Sequence, residues 1–171
     1  MNVFGRRGRT APGPRSAAGL RRIVTGLALP PGWTRDTLVE VVARRRRRPI
    51  QLVPIDAAVI GGQYSGAWLK RDHDDLVVYA DSSSLRHSTN VVCHELTHML
   101  LRHDEVATPE SAADAVDVVR AVSRPGVRAV FGRSGYADEQ EYEAELLAGM
   151  IIAARRPGFG DDAAGRIAGS F

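Results

Sequence analysis

Apolar residues recur at helical spacing in several segments of the chain. Leu38, Val41 and Val42 share one face after Thr34, a residue type that caps helix starts, and the arginine run 44–48 follows them. This pattern predicts a helix that ends in the arginine run, where cations meet the negative end of the helix dipole. Capping residues followed by apolar periodicity predict three further helices, over about 85–101, 108–122 and 138–156.

Short apolar runs bounded by turn residues predict three strands between the first two helices. They cover about 49–55, 66–69 and 76–80, and the polar segment 70–75 supplies a hairpin turn. Pro54 cannot donate to a sheet ladder, which places the first strand at a sheet edge. The predicted fold class is α+β, with a small, mostly antiparallel three-stranded sheet packed on helices.

Length and composition predict a single domain. A chain of 171 residues, 44% of them hydrophobic, can bury one sizeable core and hardly two. Residues 1–19 are rich in Arg, Gly, Pro and Ala without periodicity, so we expect a disordered leader, and a flexible tail over 157–171. The domain is expected over 20–156, with its regular structure starting near Trp33 and a loop over 126–135.

Charge and cysteine content narrow the class of protein. The formal net charge is +3, and Lys70 is the only lysine among the 23 basic residues, a skew typical of GC-rich coding. The run 44–48 fits either a solvated helix end or a patch for nucleic acid or an acidic partner, and no aromatic residue interleaves with it to stack on bases. The single cysteine, Cys93, excludes an internal disulfide, and no apolar run is long enough to span a membrane. A cytoplasmic protein is therefore expected.

The segment His94-Glu95-Leu96-Thr97-His98 carries the clearest chemistry in the chain. It reads H-E-x-x-H within a predicted helix, so one helical turn separates the two histidines and both rings project from one face. That spacing suits joint binding of one Zn²⁺, with Glu95 beside it to move protons on a water molecule. A catalytic zinc site needs a third protein ligand from elsewhere in the chain.

The last predicted helix offers that third ligand. Glu143 lies on the apolar stripe with Leu147 and Met150, and a carboxylate directed into a core needs a partner such as a metal ion. Glu143 is therefore the predicted metal ligand. Glu139 shares its side one turn earlier and is the alternative, as a ligand or as an acceptor for a histidine N–H. Glu141 and Glu145 face a thinner and more solvated side with Ala144 and Ala148, and they remain weaker candidates because helix phase resolves faces but not metal distances.

These segments resemble the ImmA/IrrE family of small cytosolic zinc peptidases, which are gluzincin-like. Glu141, Glu143-Ala144 and Leu147-Ala148 are similar to the E-x-E-A-x-x-F-A signature that follows H-E-x-x-H in that family, with Leu147 in place of Phe. The usual Leu-Leu-Met-Pro ending is reduced to Gly149-Met150-Ile151-Ile152. The resemblance covers about residues 33–156 and implies a zincin-like fold.

The resemblance implies a zinc metallopeptidase in which His94, His98 and Glu143 hold Zn²⁺ and Glu95 is the general base. The implied substrate is a specific protein partner, a transcriptional repressor or antitoxin-like regulator such as a helix-turn-helix protein encoded nearby. No direct binding to nucleic acid and no membrane association are expected. The alternative is a catalytically silent zinc-fold module that docks a partner protein through the arginine run or the segment 102–136.

Several neighbouring residues remain open at this stage. His103, Tyr136 and Arg102 are candidates to stabilise an oxyanion, although His103 is better interpreted as an exposed histidine beside the carbonyls of a helix end. Cys93 lies about 100° around the helix from His94 and is expected to be a buried packing residue. This position also argues against a deformylase-like site, in which an upstream cysteine binds the metal. His73 and His87 are expected at the surface.

Overall fold

The computed structural model describes residues 16–56, 65–81, 84–105, 127–131 and 136–155, with backbone alone at 127 and 128. These residues form an α+β arrangement, as predicted. Within these described ranges, no helix is both long and apolar enough to cross a membrane. The elements are α1 (Ala17–Leu27), α2 (Arg35–Arg46), β1 (Ile50–Ile55), β2 (Gly66–Arg71), β3 (Asp75–Ala80), α3 (Leu85–Leu101), a 3-10 turn (His103–Glu105), β4 (Val127–Phe131) and α4 (Asp138–Ala153).

The helix starts follow from capping side chains. Thr34 accepts from the backbone N–H of Thr37 at the start of α2, and Ser84 accepts from the N–H of His87 at the start of α3. At α4 the Gln140 side chain reaches back to the N–H of Ala137, with acidic residues in the first turn. Such caps satisfy donors that have no partner within the helix. The predictions of α2, α3 and α4 are confirmed, with α4 ending a few residues earlier than expected.

Among the described residues the sheet has four strands in the order β1-β3-β2-β4, rather than the three predicted. β2 forms antiparallel pairs with β3 and β4, whereas β1 runs parallel to β3, so the sheet is mixed. β1 lies at an edge, as Pro54 predicted. The added strand β4 lies within the segment 126–135 that was expected to be a loop. Its sequence, Val-Arg-Ala-Val-Phe, neither alternates strictly nor forms an uninterrupted apolar run, so the pattern did not indicate a strand.

Regular structure also begins earlier than predicted. Ser16 caps α1, which places Leu20 and Leu27 in the core, whereas the sequence suggested a disordered leader up to residue 19 and a start near Trp33. The two arginines and two glycines of α1 obscured its apolar stripe. The rest of the predicted leader, the predicted helix over 108–122 and the predicted tail over 157–171 lie outside the described residues.

The arginine run contributes to packing at the end of α2. The Arg46 guanidinium lies 4.8 Å from the Trp68 ring centroid, and its Nη1 donates to the Met99 carbonyl at 2.8 Å. Arg48 Nε lies 3.0 Å from Oδ1 of Asp75, a fully buried carboxylate that Arg46 Nη2 also approaches at 3.4 Å. Two arginines of the run therefore compensate a buried negative charge. This structural role differs from both roles considered from the sequence, a solvated helix end and a patch that binds nucleic acid.

Candidate metal centre

Helices α3 and α4 pack closely because small residues line their contact. Thr97 Oγ1 donates to the Ala144 carbonyl at 3.1 Å, and Cys93 Sγ lies 3.9 Å from the Ala148 carbonyl oxygen. The alanines on α4 let the backbone of α3 approach. This contact sets the H-E-x-x-H segment against the first half of α4.

Two histidines of α3 and one glutamate of α4 converge on a single point. His94 Nε2 and His98 Nε2 lie 3.0 Å apart. Glu141 Oε2 lies 3.3 Å from His94 Nε2, and Glu141 Oε1 lies 3.4 Å from His98 Nε2. Nitrogen and oxygen ligands about 2.0–2.1 Å from a tetrahedral zinc ion are about 3.3 Å from one another. The three side chains are therefore spaced as metal ligands are.

The polar atoms of this group have few partners other than each other. Both carboxylate oxygens of Glu141 are buried, and neither makes a hydrogen bond to any described residue. A buried carboxylate without hydrogen bonds is costly, whereas a cation placed between it and two imidazoles removes that cost. His94, His98 and Glu141 can thus hold a metal ion.

The electrostatic environment differs between the two histidines. Burial lowers the pKa of His98 to about 2, with further lowering from His94 and His103, so this ring stays neutral. Burial also acts to lower the pKa of His94, but the Glu141 carboxylate and the charges of Glu95 and Glu145 outweigh it and raise the pKa. Neutral imidazole is the form that binds metals, and the net acidic surroundings favour positive charge at this point.

The structure places Glu141, rather than the predicted Glu143, beside the histidine pair. Glu143 does point into the core and is buried, as its position on the apolar stripe indicated. Its partner is His103, whose Nε2 lies 3.4 Å from Glu143 Oε2. The expectation that His103 is exposed is wrong, since this residue is also buried. Glu139, the alternative ligand, is exposed.

A feature of the sequence could have identified Glu141. Ala144 and Ala148 follow it at spacings of three and seven residues, so all three lie on one face of α4. That face was taken as solvated because its residues are small. In the structure small residues mark the face on which α3 packs, and Glu141 continues that face to the histidines.

Glu95 lies at the same site, on the side of α3 that faces Gly66 of β2. Its side chain is buried at the wall of a cleft of about 220 Å³. His87 and Asn90 on α3 are exposed at this cleft, and His73 is also exposed, which confirms the surface placement predicted for both histidines. The cleft is lined by Ser65, Gly66, His87, Asn90, Val91, His94, Glu95, Tyr136, Glu141 and Glu145.

Of the three residues considered for oxyanion stabilisation, Tyr136 alone lines this cleft. Its ring stacks on His98 with centroids 3.8 Å apart, and its buried hydroxyl makes no hydrogen bond to a described residue. Burial raises the pKa of Tyr136, as do the charges of Glu95 and Asp104, so the hydroxyl keeps its proton. His103 lies behind His98, and the exposed Arg102 pairs with Glu105.

Gly66 leaves the space that Glu95 occupies. A Cβ at this position would lie 2.6 Å from Val91 Cγ1 and 3.1 Å from Glu95 Oε1. We therefore expect Gly66→Ala to lower the free energy of unfolding by about 1–3 kcal/mol and to displace Glu95. Chemical denaturation measures the first effect. Gly149→Ala, where a Cβ meets nothing within 4 Å, is the control and should stabilise α4 by about 0.5–1 kcal/mol. Equal stability of the two variants would contradict this account.

Cys93 is expected to be unreactive in the folded protein. Its side chain is fully buried, and burial raises the pKa of its thiol to about 12 from 9.0. Because only the thiolate reacts, a disulfide reagent at pH 8 should modify the native protein about a thousandfold more slowly than the unfolded chain. A native rate close to that of the unfolded chain would show that Cys93 is accessible and would contradict its packing role.

Comparison with known proteins supplies no family for this geometry. No protein-family model and no curated protein match the chain. No solved structure matches it either.

Proposed function

We propose that this protein is a zinc-dependent endopeptidase that hydrolyses a peptide bond in a specific protein partner. The observation that carries the proposal is the convergence of His94, His98 and Glu141, with ligand atoms 3.0–3.4 Å apart, beside the buried Glu95. The packing of α3 and α4 beside a mixed sheet supports a zincin-like fold. The sequence resemblance to ImmA/IrrE peptidases supports the same assignment.

The donor set favours zinc over harder cations. Two imidazole nitrogens and one carboxylate suit Zn²⁺, whereas Mg²⁺ and Ca²⁺ prefer oxygen ligands throughout. Three protein ligands leave a fourth position for water or substrate, as catalytic zinc sites do. When bound, such an ion lowers the pKa of water and polarises a carbonyl oxygen.

Glu95 is the proposed general base. It lies next to the ligand His94 in sequence and lines the same cleft. Its carboxylate accepts the proton of the attacking water and later delivers that proton to the leaving amine. The mechanism therefore needs no second residue as general acid. The absence of a side chain at Gly66 leaves room for the Glu95 carboxylate at the wall of the cleft.

Tyr136 is the proposed donor to the oxygen that becomes negative during attack. Its protonated hydroxyl is buried beside the ligands, and its stacking on His98 limits ring motion. A donor fixed in a site of low polarity stabilises charge more than the same donor in water. A peptide carbonyl in the cleft would supply the missing hydrogen-bond partner.

The proposed substrate is a protein segment, and the resemblance favours a transcriptional repressor or an antitoxin-like regulator. The alternative function, a silent zinc-fold module that docks a partner, depended in part on the arginine run. Arg46 and Arg48 are engaged with Asp75 and Trp68, so the run offers fewer free cations than the sequence suggested. Arg44, Arg45 and Arg47 are the exposed residues of the run.

A peptide library decides whether the protein hydrolyses peptides. The wild-type protein, purified with one equivalent of zinc, is incubated with peptides derived from a cellular proteome, and new termini are identified by mass spectrometry. We expect cleavage that a chelator abolishes and added Zn²⁺ restores. Zinc binding without any cleavage, in this library or in candidate regulators, would favour the docking module, and failure to bind zinc would reject both.

A further inference from the structure

Three buried side chains form a chain of contacts on the side of His98 away from the cleft. His98 Nδ1 lies 2.9 Å from His103 Nδ1, and His103 Nε2 lies 3.4 Å from Glu143 Oε2. The residues are 0%, 4% and 7% exposed, respectively. The opposite nitrogen of the same ring, His98 Nε2, faces His94 and Glu141. One ring thus connects the metal position to a buried carboxylate.

The order of donors and acceptors along this chain follows from the chemistry of its ends. A carboxylate oxygen accepts hydrogen bonds, so the contact with Glu143 favours a proton on His103 Nε2. With Nε2 as the donor, His103 Nδ1 can accept a hydrogen bond, and His98 donates to it from Nδ1. His98 Nε2 is left with a lone pair, which is the form that binds a metal. The reverse tautomers would set two lone pairs against each other at Glu143, whereas in the favoured arrangement the lone pairs of His98 Nε2 and Glu141 Oε1 meet at the metal position, where a cation would lie between them.

The backbone after α3 brings His103 into this position. Arg102 adopts a left-handed conformation with φ of 61°, and its N–H bonds to the carbonyls of His98 and Met99. The chain then turns into the 3-10 segment, where Asp104 forms a 2.7 Å ion pair with Lys70 of β2. His103 directly precedes Asp104 in this turn. The ion pair of Asp104 with Lys70 therefore also holds His103 next to His98.

We propose that His103 and Glu143 are positioning residues that hold His98 in the tautomer whose Nε2 lone pair faces the metal position. This inference rests on the proposed metal site. Partners of this kind, which bind the second nitrogen of a ligand histidine, fix its ring and raise its basicity. Their loss typically weakens metal affinity about 10–100-fold.

The test uses two measurements on the full-length protein. Long-range ¹H–¹⁵N spectra of the metal-free protein show which ring nitrogen of each histidine is protonated, and single-site variants assign the five histidines. Competition with a chromophoric chelator gives the dissociation constant for Zn²⁺. A general packing role would lower stability without selecting a tautomer, so the spectra separate positioning from packing.

The variants differ in the hydrogen-bonding group that they place next to His98 Nδ1 or next to His103. His103→Leu removes the acceptor, so we expect a mixture of His98 tautomers and zinc binding about 10–100-fold weaker. His103→Asn places an amide oxygen near the former Nδ1 and should restore the single tautomer and most of the affinity. Glu143→Gln can donate as well as accept, which should again allow both tautomers. Glu139→Gln, at an exposed position on the same helix, is the control and should behave as wild type.

The outcomes separate this inference from the proposed function. An unchanged His98 tautomer and unchanged zinc affinity in both His103→Leu and Glu143→Gln would overturn the positioning role. If the wild type bound no zinc, the proposed function would fail, while the metal-free spectra would still decide the tautomer. Loss of zinc affinity in Glu143→Gln as large as that in Glu141→Gln would instead make Glu143 a direct ligand and overturn the inference.

Discussion

Replacing Glu141 by glutamine is expected to cost the protein its zinc. An amide oxygen is a far poorer metal ligand than a carboxylate, and the change leaves two histidines to hold the ion. Loss of a residue behind a ligand already weakens metal affinity up to about 100-fold, so loss of the ligand itself should exceed that. Chelator competition measures the affinity, and zinc analysis after dialysis should find clearly less than one zinc ion per protein molecule.

The fold should survive this substitution. Removing the charge relieves the desolvation cost of two buried oxygens, but it also removes their attraction to His94 and His98, which lie 3.3 and 3.4 Å away. Because the two effects oppose each other, we expect metal-free Glu141→Gln to unfold at about the same denaturant concentration as metal-free wild type. Glu139→Gln, two residues earlier and exposed, should keep full zinc affinity. Undiminished zinc affinity in Glu141→Gln would remove this residue from the ligand set.

Replacing Glu95 by glutamine is expected to have the opposite profile. Zinc should remain at one equivalent, because the side chain is not among the three converging ligands. Peptide hydrolysis should fall by about a hundred- to ten-thousandfold, since the amide cannot accept the proton of the attacking water. Cleavage rates on a peptide selected from the library, together with zinc content, measure both quantities.

Two comparisons make this result specific. Glu145→Gln removes an exposed carboxylate at the same cleft, so it controls for charge alone and should leave the rate within about tenfold of wild type. Hydrolysis by Glu95→Gln at the wild-type rate would reject Glu95 as the base. If Glu95→Gln still binds a peptide that the wild type cleaves, the substitution has removed the chemical step and not substrate binding.

The H-E-x-x-H helix and the glutamate-bearing helix could be predicted because capping and apolar periodicity are local properties. Thr34 and Ser84 cap helices in the structure as their residue types indicate. The burial of Glu143 was predicted for the same reason, since helix phase fixes which residues share a face.

What could not be predicted was the partner that each buried group meets. Glu143 and Glu141 lie on different faces of α4, and the sequence does not state which face meets α3. The turn after Arg102 brings His103 under His98, and a contact between residues 40 apart satisfies Glu143. β4 was missed for a related reason. The strand is defined by its pairing with β2, a nonlocal contact that the local pattern of apolar residues in β4 does not indicate.

The distribution of the three proposed ligands over two helices has a consequence for the stability of the protein in a cell. His94 and His98 belong to α3, whereas Glu141 belongs to α4, and β4 lies between these helices in the chain. A bound ion would therefore act as a cross-link between two distant parts of the sequence. At a free zinc concentration one hundred times the dissociation constant, that link would add about 2.7 kcal/mol to folding stability. Zinc starvation would remove that contribution, so resistance to proteolysis and protein abundance would follow zinc supply.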